Sequence, residues 1–341
     1  MTPERLRAIT GRYAGLRLAV VGDFCLDRYL EIDPARAEIS IETGLPVRNV
    51  VNVRSQPGAA GTVLNNLVAL GVGAIHAVGF CGDDGEGYEL RRALAALPGV
   101  RLEHLLTTPL RRTFTYCKPL VCEQGQVPRE LERLDSKNWT PTPSEVSTRI
   151  VASITALVGM VDGIIVMDQV DIAQTGVVTR AVLAAIGAVA KASTLPVIAD
   201  SRRGLAGYPP LIFKMNAAEL AALTGSPAAP ATEQTSATAV RLARTNQRPV
   251  FITMAERGII GATPDGAVEH VPSLPLRGPI DVVGAGDSVT ANLTAALAAG
   301  ATTREAVELA ILASSLVIHQ LGTTGTASVA QIAALLPALA G

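Results

Sequence analysis

The most informative part of the chain is residues 279–288, PIDVVGAGDS, followed at once by VTANLTAALAAG at residues 289–300. The second stretch is apolar and rich in alanine, which predicts a helix. The first ends in a Gly-Ala-Gly turn, so the helix begins where glycines leave the backbone uncovered. A helix N-terminus carries free N–H groups and a partial positive charge. We therefore predict an anion-binding turn at Gly284, Ala285 and Gly286.

Asp287 follows this turn directly. A carboxylate repels an anion, so we predict that Asp287 accepts a proton from an attacking hydroxyl instead. Backbone amides that stabilise a transferred group, beside a carboxylate that activates the acceptor, are typical of phosphoryl transfer. The alternative is that Asp287 only caps the helix, a position that favours aspartate. The patterns GxxxxGK[ST] and GxGxxG are both absent, which disfavours a P-loop NTPase and a dinucleotide enzyme.

Short β-branched runs alternate with alanine- and leucine-rich stretches along the whole chain. The predicted strands are 18–21, 74–79, 164–167, 197–199 and 250–253. The predicted helices are 59–71, 87–97, 177–192, 217–223, 288–299 and 304–319. This alternation predicts an α/β fold in which helices cover both faces of a mostly parallel central sheet. Ligands of such sheets bind outside the carboxyl ends of the strands.

Two segments break the alternation. Residues 31–56 and 110–123 lack helical periodicity and contain alternating apolar residues. We predict that they are antiparallel strands appended to the main sheet, forming a small β lid inserted in a single domain that spans residues 1–341; ordinary edge hairpins are the alternative. Residues 226–235, rich in Pro, Ala and Thr, are predicted to be a surface loop.

The composition excludes several classes of protein. Lys and Arg number 29 against 30 Asp and Glu, a net charge of −1, which argues against nucleic acid or membrane partners held by bulk positive charge. Hydrophobic residues make up 48%, which excludes a disordered chain. No charge-free apolar run reaches the roughly 18 residues that a membrane helix needs. The cysteines show no CxxC spacing and we predict no signal peptide, so a reducing cytoplasm is the expected location.

The stretch DVVGAGDS at 281–288 resembles D-[TV]-T-G-A-G-D, the signature of the ribokinase/PfkB family of carbohydrate kinases, and the resemblance runs over nearly the whole chain in the expected order. Within the family, VVGDFCLDRYL at 20–30 is similar to the start of the branch that phosphorylates a heptose 7-phosphate at its anomeric carbon, the kinase domain of ADP-heptose synthesis. The resemblance implies a ribokinase-like three-layer sandwich, ATP and Mg²⁺ as cofactors, a sugar or sugar-phosphate acceptor, and a homodimer formed through the lid strands. A nucleoside kinase of the same fold and an inactive sugar- or nucleotide-binding protein are the alternatives.

The resemblance also implies roles for individual residues. Asp287 would be the catalytic base, and Gly284, Ala285 and Gly286 would supply amides to the transferred group. The residues implied to lie at the substrate are Asp27, Gly58, Thr62, Asp281 and Arg133. Those implied to bind the nucleotide are Asn216, Glu219, Thr253, Glu256 and Gly258, of which Asn216 and Glu219 would hold magnesium through water.

Taken singly, several of these residues have simpler explanations. Asn216 and Glu219 are also typical of a helix start with a solvated face, and Asp27 is typical of a turn at a strand end. Thr253 has high β-propensity, and Arg133 has the character of a surface charge.

The chain departs from the family pattern at the sugar and base pockets. Ala59 replaces the second glycine of a Gly-Gly pair, and Thr62 stands where a sugar-binding asparagine is expected. Ala255 replaces a glycine, Val283 a threonine, and Ile311 a polar residue near the adenine. Because an unpaired polar group in a pocket changes specificity strongly, we expect an altered acceptor rather than a dead enzyme.

Overall fold

The computed structural model describes residues 1–226 and 231–339. The strands are β1 Arg17–Gly22, β2 Phe24–Ile32, β3 Glu38–Ile39, β4 Pro46–Val47, β5 Val50–Ala59, β6 Ala74–Gly82, β7 Val100–Arg101, β8 Leu105–Thr108, β9 Phe114–Val121, β10 Arg129–Glu130, β11 Gly163–Asp168, β12 Val197–Ser201, β13 Ile212–Asn216, β14 Val250–Thr253, β15 Ile259–Ala262 and β16 Val268–Val271. The helices are α1 Pro3–Thr10, α2 Ala60–Ala69, α3 Gly85–Ala95, α4 Ser144–Leu157, α5 Arg180–Ala192, α6 Ala217–Thr224, α7 Thr232–Asn246, α8 Ala285–Ala298, α9 Thr303–Val317 and α10 Val329–Leu335. Turns of 3-10 helix lie at Tyr13–Gly15, Pro34–Arg36, Ala255–Arg257 and Leu336–Leu339.

The main sheet is mostly parallel, as the alternation of strands and helices predicts. Its order is β16-β15-β14-β13-β12-β11-β1-β6-β7, with β8 also beside β6. The pairs from β14 to β7 are parallel, whereas β15 and β16 close the other edge in antiparallel pairs. Residues of β11 are buried along its whole length because one hydrophobic cluster packs on each face of the sheet. The α/β prediction is therefore confirmed.

A second, smaller sheet has the order β10-β9-β2-β5. The pair β2–β5 is antiparallel, but β2–β9 is parallel, and the sheet does not join the main one. The predicted antiparallel pairing is confirmed for β2–β5 and β9–β10 but not for β2–β9. The strands form a separate sheet instead of an addition to the main one, and β2 begins at Phe24, ahead of the predicted segment.

A single buried residue, Asp23, separates β1 from β2 and redirects the chain between the sheets. Its carboxylate accepts the N–H groups of Gln169 at 2.8 Å and Val177 at 2.7 Å. Burial, reinforced by the charge of Asp168, raises the pKa of Asp23 to about 7. The alternation of apolar residues that predicts strands does not indicate such a change of sheet.

Several observed elements have no counterpart among the predicted ones: α1, α4, α7, α10, β7, β8, β10, β13, β15 and β16. Helix α7 begins at Thr232, so the end of the predicted surface loop is helical. Residues 227–230 of that loop lie outside the described residues. The other predicted helices and strands correspond to observed ones, with ends displaced by up to three residues. Within the described residues, no helix combines the length and apolar character needed to cross a membrane.

Candidate active site

The glycine turn forms the N-terminus of α8. Gly284 is the N-cap with φ of +79°, a left-handed conformation that favours glycine. The amide of Ala285 donates to Val282 O at 3.2 Å, so it is already used within the turn. The amides of Gly286 and Asp287 meet no acceptor among the described residues, as the geometry of a helix start predicts. Both residues are partly exposed, so an anion can reach these amides.

The carboxylate of Asp287 lies at this turn without a hydrogen-bond partner among the described residues, and it does not cap α8. Burial raises its pKa to about 7, and the charge of Asp200 raises it further against the opposing effect of Lys214 and Arg202. A carboxylate whose pKa lies near neutrality is well suited to accept a proton. This geometry favours a general base over a helix cap.

Asp27 belongs to β2 of the smaller sheet and is 7% exposed. Its Oδ1 is 3.2 Å from Nζ of Lys118, which belongs to the adjacent strand β9. On the other side, a Cβ at Gly58 would lie 2.5 Å from Asp27 Oδ2, so only glycine allows β5 to approach this closely. The charge of Asp27 also contributes to the raised pKa of Asp287, which places the two carboxylates within electrostatic range.

Thr62 lies beside the glycine turn. It is buried in the first turn of α2, and its Cγ2 lies 3.5 Å from the place that a Cβ on Gly284 would occupy. The residue that departs from the expected asparagine therefore lines the anion turn. Ala59, the N-cap of α2, has φ of +54° and ψ of −116°, a strained conformation for alanine where the family usually has glycine.

Asn216 and Glu219 form a capping box at the start of α6. The Asn216 side chain accepts the Glu219 N–H at 2.9 Å, and Glu219 Oε2 accepts the Asn216 N–H at 2.7 Å. Burial raises the pKa of Glu219. In the described part of the chain, no three His, Cys, Asp or Glu residues cluster as a metal site. The oxygen donors at this helix start fit a magnesium ion that keeps most of its water ligands.

Thr253 lies directly opposite Asn216 where β13 and β14 end, so two residues predicted to bind the nucleotide meet at the carboxyl edge of the sheet. The turn that follows contains Glu256, which is exposed, and Gly258 with φ of +90°. A Cβ on Gly258 would lie 2.0 Å from Val271 O, so this position requires glycine.

Asp281 and Arg133 lie at the margins of the site. The Asp281 carboxylate accepts the Val283 N–H at 3.0 Å and so braces the segment before the glycine turn. Arg133 is exposed; it donates to Asp135 at 3.1 Å and lies 4.8 Å from the ring centre of Tyr116. These contacts fit a surface charge near the small sheet, and they do not bring Arg133 against the other predicted site residues.

Lys214 and Asp200 belong to the site but are absent from the predicted residues. Nζ of Lys214 lies 2.7 Å from Asp200 Oδ2, and a Cβ on Gly286 would lie 3.0 Å from the same Nζ. The available signal is a lysine in the apolar run LIFKM, because a charged residue in a buried parallel strand is rare unless it is paired.

Comparison with known proteins identifies the family. The model of the pfkB family carbohydrate kinases matches residues 17–330. The chain belongs to this family. It is therefore a sugar kinase, a phosphotransferase with an alcohol group as acceptor.

Among curated relatives of this pfkB kinase are bifunctional proteins HldE. That of Azorhizobium caulinodans is 33% identical over 312 residues, which cover 90% of this chain and 61% of the relative. That of Hyphomonas neptunium is 32% identical over 337 residues, covering 98% of this chain and 66% of the relative. The chain thus spans less than two thirds of the length of these relatives.

Solved structures share the ribokinase-like fold of the kinase. Arabidopsis thaliana ribokinase complexed with ribose and ATP superposes with a TM-score of 0.68 at 19% identity, covering 94% of this chain and 98% of that one. Escherichia coli phosphofructokinase-2 in complex with substrates and products gives 0.70 at 18% identity, covering 96% and 100%. At these identities the likeness extends to the fold alone.

Proposed function

We propose that this kinase transfers the γ-phosphate of ATP to a hydroxyl of a sugar phosphate resembling heptose 7-phosphate, with Asp287 as the base. The observation that carries the proposal is the unpaired, partly exposed carboxylate of Asp287, with a pKa of about 7, beside the free amides of Gly286 and Asp287. Similarity to the HldE proteins and the resemblance of residues 20–30 to the heptose kinases favour this acceptor class.

Several residues of the site have a role in this reaction. Asp27, buried beside Lys118, orients the acceptor by accepting hydrogen bonds from its hydroxyls. Asp287 takes the proton from the attacking hydroxyl, and the amides of Gly286 and Asp287 offset the charge on the transferred group. Magnesium, when bound through water near Asn216 and Glu219, supplies charge neutralisation for the triphosphate.

The smaller sheet is proposed to act as a lid and as a dimer interface. Its strand β5 carries Val50, Val51 and Val53, which are 43%, 50% and 44% exposed. Three adjoining exposed valines favour burial against a second copy. Lid strands that close over the acceptor would exclude water and limit hydrolysis of ATP.

All four cysteines of the chain are free, without disulfide bonds. This supports action in the reducing cytoplasm.

The test is an ADP-release assay with ATP and magnesium over sugars, sugar phosphates and nucleosides. We expect turnover with a sugar phosphate, lost in Asp287→Asn and retained in Glu103→Gln, which alters an exposed carboxylate between β7 and β8. Turnover with nucleosides alone would make the protein a nucleoside kinase. ATP binding without ADP formation across the panel would contradict the proposed reaction and support a binding protein.

A further inference from the structure

We propose that Lys214 supplies a charged hydrogen-bond donor to the phosphoryl group during its transfer, and that Asp200 holds it in position. This inference rests on the proposed function, because it assigns a further residue to the same reaction. It concerns a buried ion pair that lies directly beneath the glycine turn.

The sheet places the two partners side by side. Strands β12 and β13 are parallel neighbours with Ala199 opposite Phe213, so the next residues along them, Asp200 and Lys214, are adjacent on one face. Their charged atoms are 2.7 Å apart, and the two residues are 7% and 6% exposed. Thr290 Oγ1 of α8 donates to the same Asp200 oxygen at 3.0 Å. The pair is therefore attached to the helix that carries the anion turn.

The ammonium of Lys214 has N–H donors that the ion pair with Asp200 does not use. Lysine offers three N–H groups, and within the described residues Lys214 donates only to Asp200. A Cβ on Gly286 would lie 3.0 Å from Nζ, so the missing side chain of Gly286 lets the ammonium approach the turn. The free amides and the ammonium thus converge on the space that an anion at this turn would occupy.

Stability alone does not account for the ion pair. Removing two charges from water costs about as much as their attraction returns, and apolar replacements of buried pairs are often neutral or stabilising. The carboxylate of Asp200, 2.7 Å from the ammonium, supplies the opposite charge that Lys214 needs at this buried position. A permanent buried cation is useful where negative charge moves during a reaction.

Transfer of the phosphoryl group requires no reactant other than ATP and the acceptor. The acceptor oxygen forms a bond to the γ-phosphorus while its proton passes to Asp287. The bond from that phosphorus to the β,γ-bridging oxygen breaks, and its electron pair leaves with ADP. Lys214 neither gains nor loses a proton; it donates hydrogen bonds to the phosphoryl oxygens, where its charge is most effective in the transition state.

The test compares the binding of ADP with that of ADP plus aluminium fluoride, both with magnesium, by calorimetry. Neither probe requires the acceptor to be known. The variant is Lys214→Met combined with Asp200→Asn, which removes both charges and leaves no buried ion unpaired. Lys214→Gln, which retains a donor toward Asp200, is the second variant, and Thr290→Val is the matched control because it removes a contact of Asp200 but leaves the ammonium.

We expect both Lys214 variants to lose about 10²-fold in affinity for ADP–aluminium fluoride, the scale of removing one donor from a transition-state site, while the Kd for ADP changes by less than about 3-fold. The control should stay within about 3-fold for both probes. Unchanged affinity for ADP–aluminium fluoride, or an equal loss for both probes, would overturn the role of Lys214. A wild-type protein that binds ADP but gains no affinity from aluminium fluoride would contradict the proposed function itself.

Discussion

Replacing Asp287 with asparagine tests the base assignment through stability as well as activity. The folded chain raises the pKa of Asp287 to about 7 from a usual 3.8. Between these values the folded protein keeps a proton that the unfolded chain releases, so ionisation of Asp287 destabilises the fold as the pH rises toward neutrality. Asparagine cannot ionise, and we expect the variant to be more stable than the wild type above pH 7.

The size of this gain follows from the pKa difference. About three pKa units correspond to roughly 4 kcal/mol for a fully enclosed group. Because Asp287 is partly exposed, solvent screening reduces this figure, and we expect about 1–2 kcal/mol at pH 8. The gain should become small near pH 4, where the folded carboxyl is protonated and the unfolded one, with a usual pKa of 3.8, is about half protonated. A carboxylate that only capped α8 would have the opposite effect, since its loss costs about 0.5–1 kcal/mol.

The assay is urea unfolding of both proteins at pH 4, 6 and 8, combined with turnover on the best acceptor. We expect Asp287→Asn to lose at least about 10²-fold in kcat. In the wild type, kcat/KM should fall about tenfold per pH unit below the pKa of about 7, because protonated Asp287 cannot act as a base. A variant that is less stable than the wild type at pH 8, or that turns over at nearly the wild-type rate, would refute the reasoning.

Three further results are expected. Ala59→Gly should stabilise the protein by about 1 kcal/mol in thermal unfolding, because it relieves a φ of +54°, whereas Ala60→Gly next to it should destabilise by about as much; equal effects would contradict the strain. Lys118→Met should raise the KM for the acceptor about 10-fold with a smaller change in kcat, because Asp27 loses the ion pair that orients it; an unchanged KM would remove Asp27 from the acceptor site. Chelating magnesium should abolish ADP release reversibly but leave the unfolding temperature without nucleotide unchanged, since the described residues form no cluster of three metal ligands; a lower temperature would indicate a structural metal.

The family signature and the glycine turn at residues 284–286 can be recognised from the sequence because both depend on neighbouring residues. Alternation of β-branched and helical stretches predicts the parallel sheet, and Gly284 with φ of +79° occupies the conformation that a Gly-Ala-Gly helix start requires. The capping box at Asn216 is likewise encoded within four residues.

Other features depend on which distant segments pack together. The parallel pairing of β2 with β9, which places Lys118 beside Asp27, is set by the order of strands in the smaller sheet. No local pattern distinguishes that sheet from an edge of the main one, because both require alternating apolar residues.

The amino-acid sequence by itself determined the fold class and the glycine turn at the start of α8, which follow from short-range periodicity and glycine conformation, and its resemblance to the PfkB signature indicated the family. Only the tertiary structure decided that Lys214 lies under Gly286 and against Asp200. Such a contact arises from the register of two parallel strands and the packing of α8 on their ends. Because the contacting residues are far apart in the chain, no local sequence pattern predicts it.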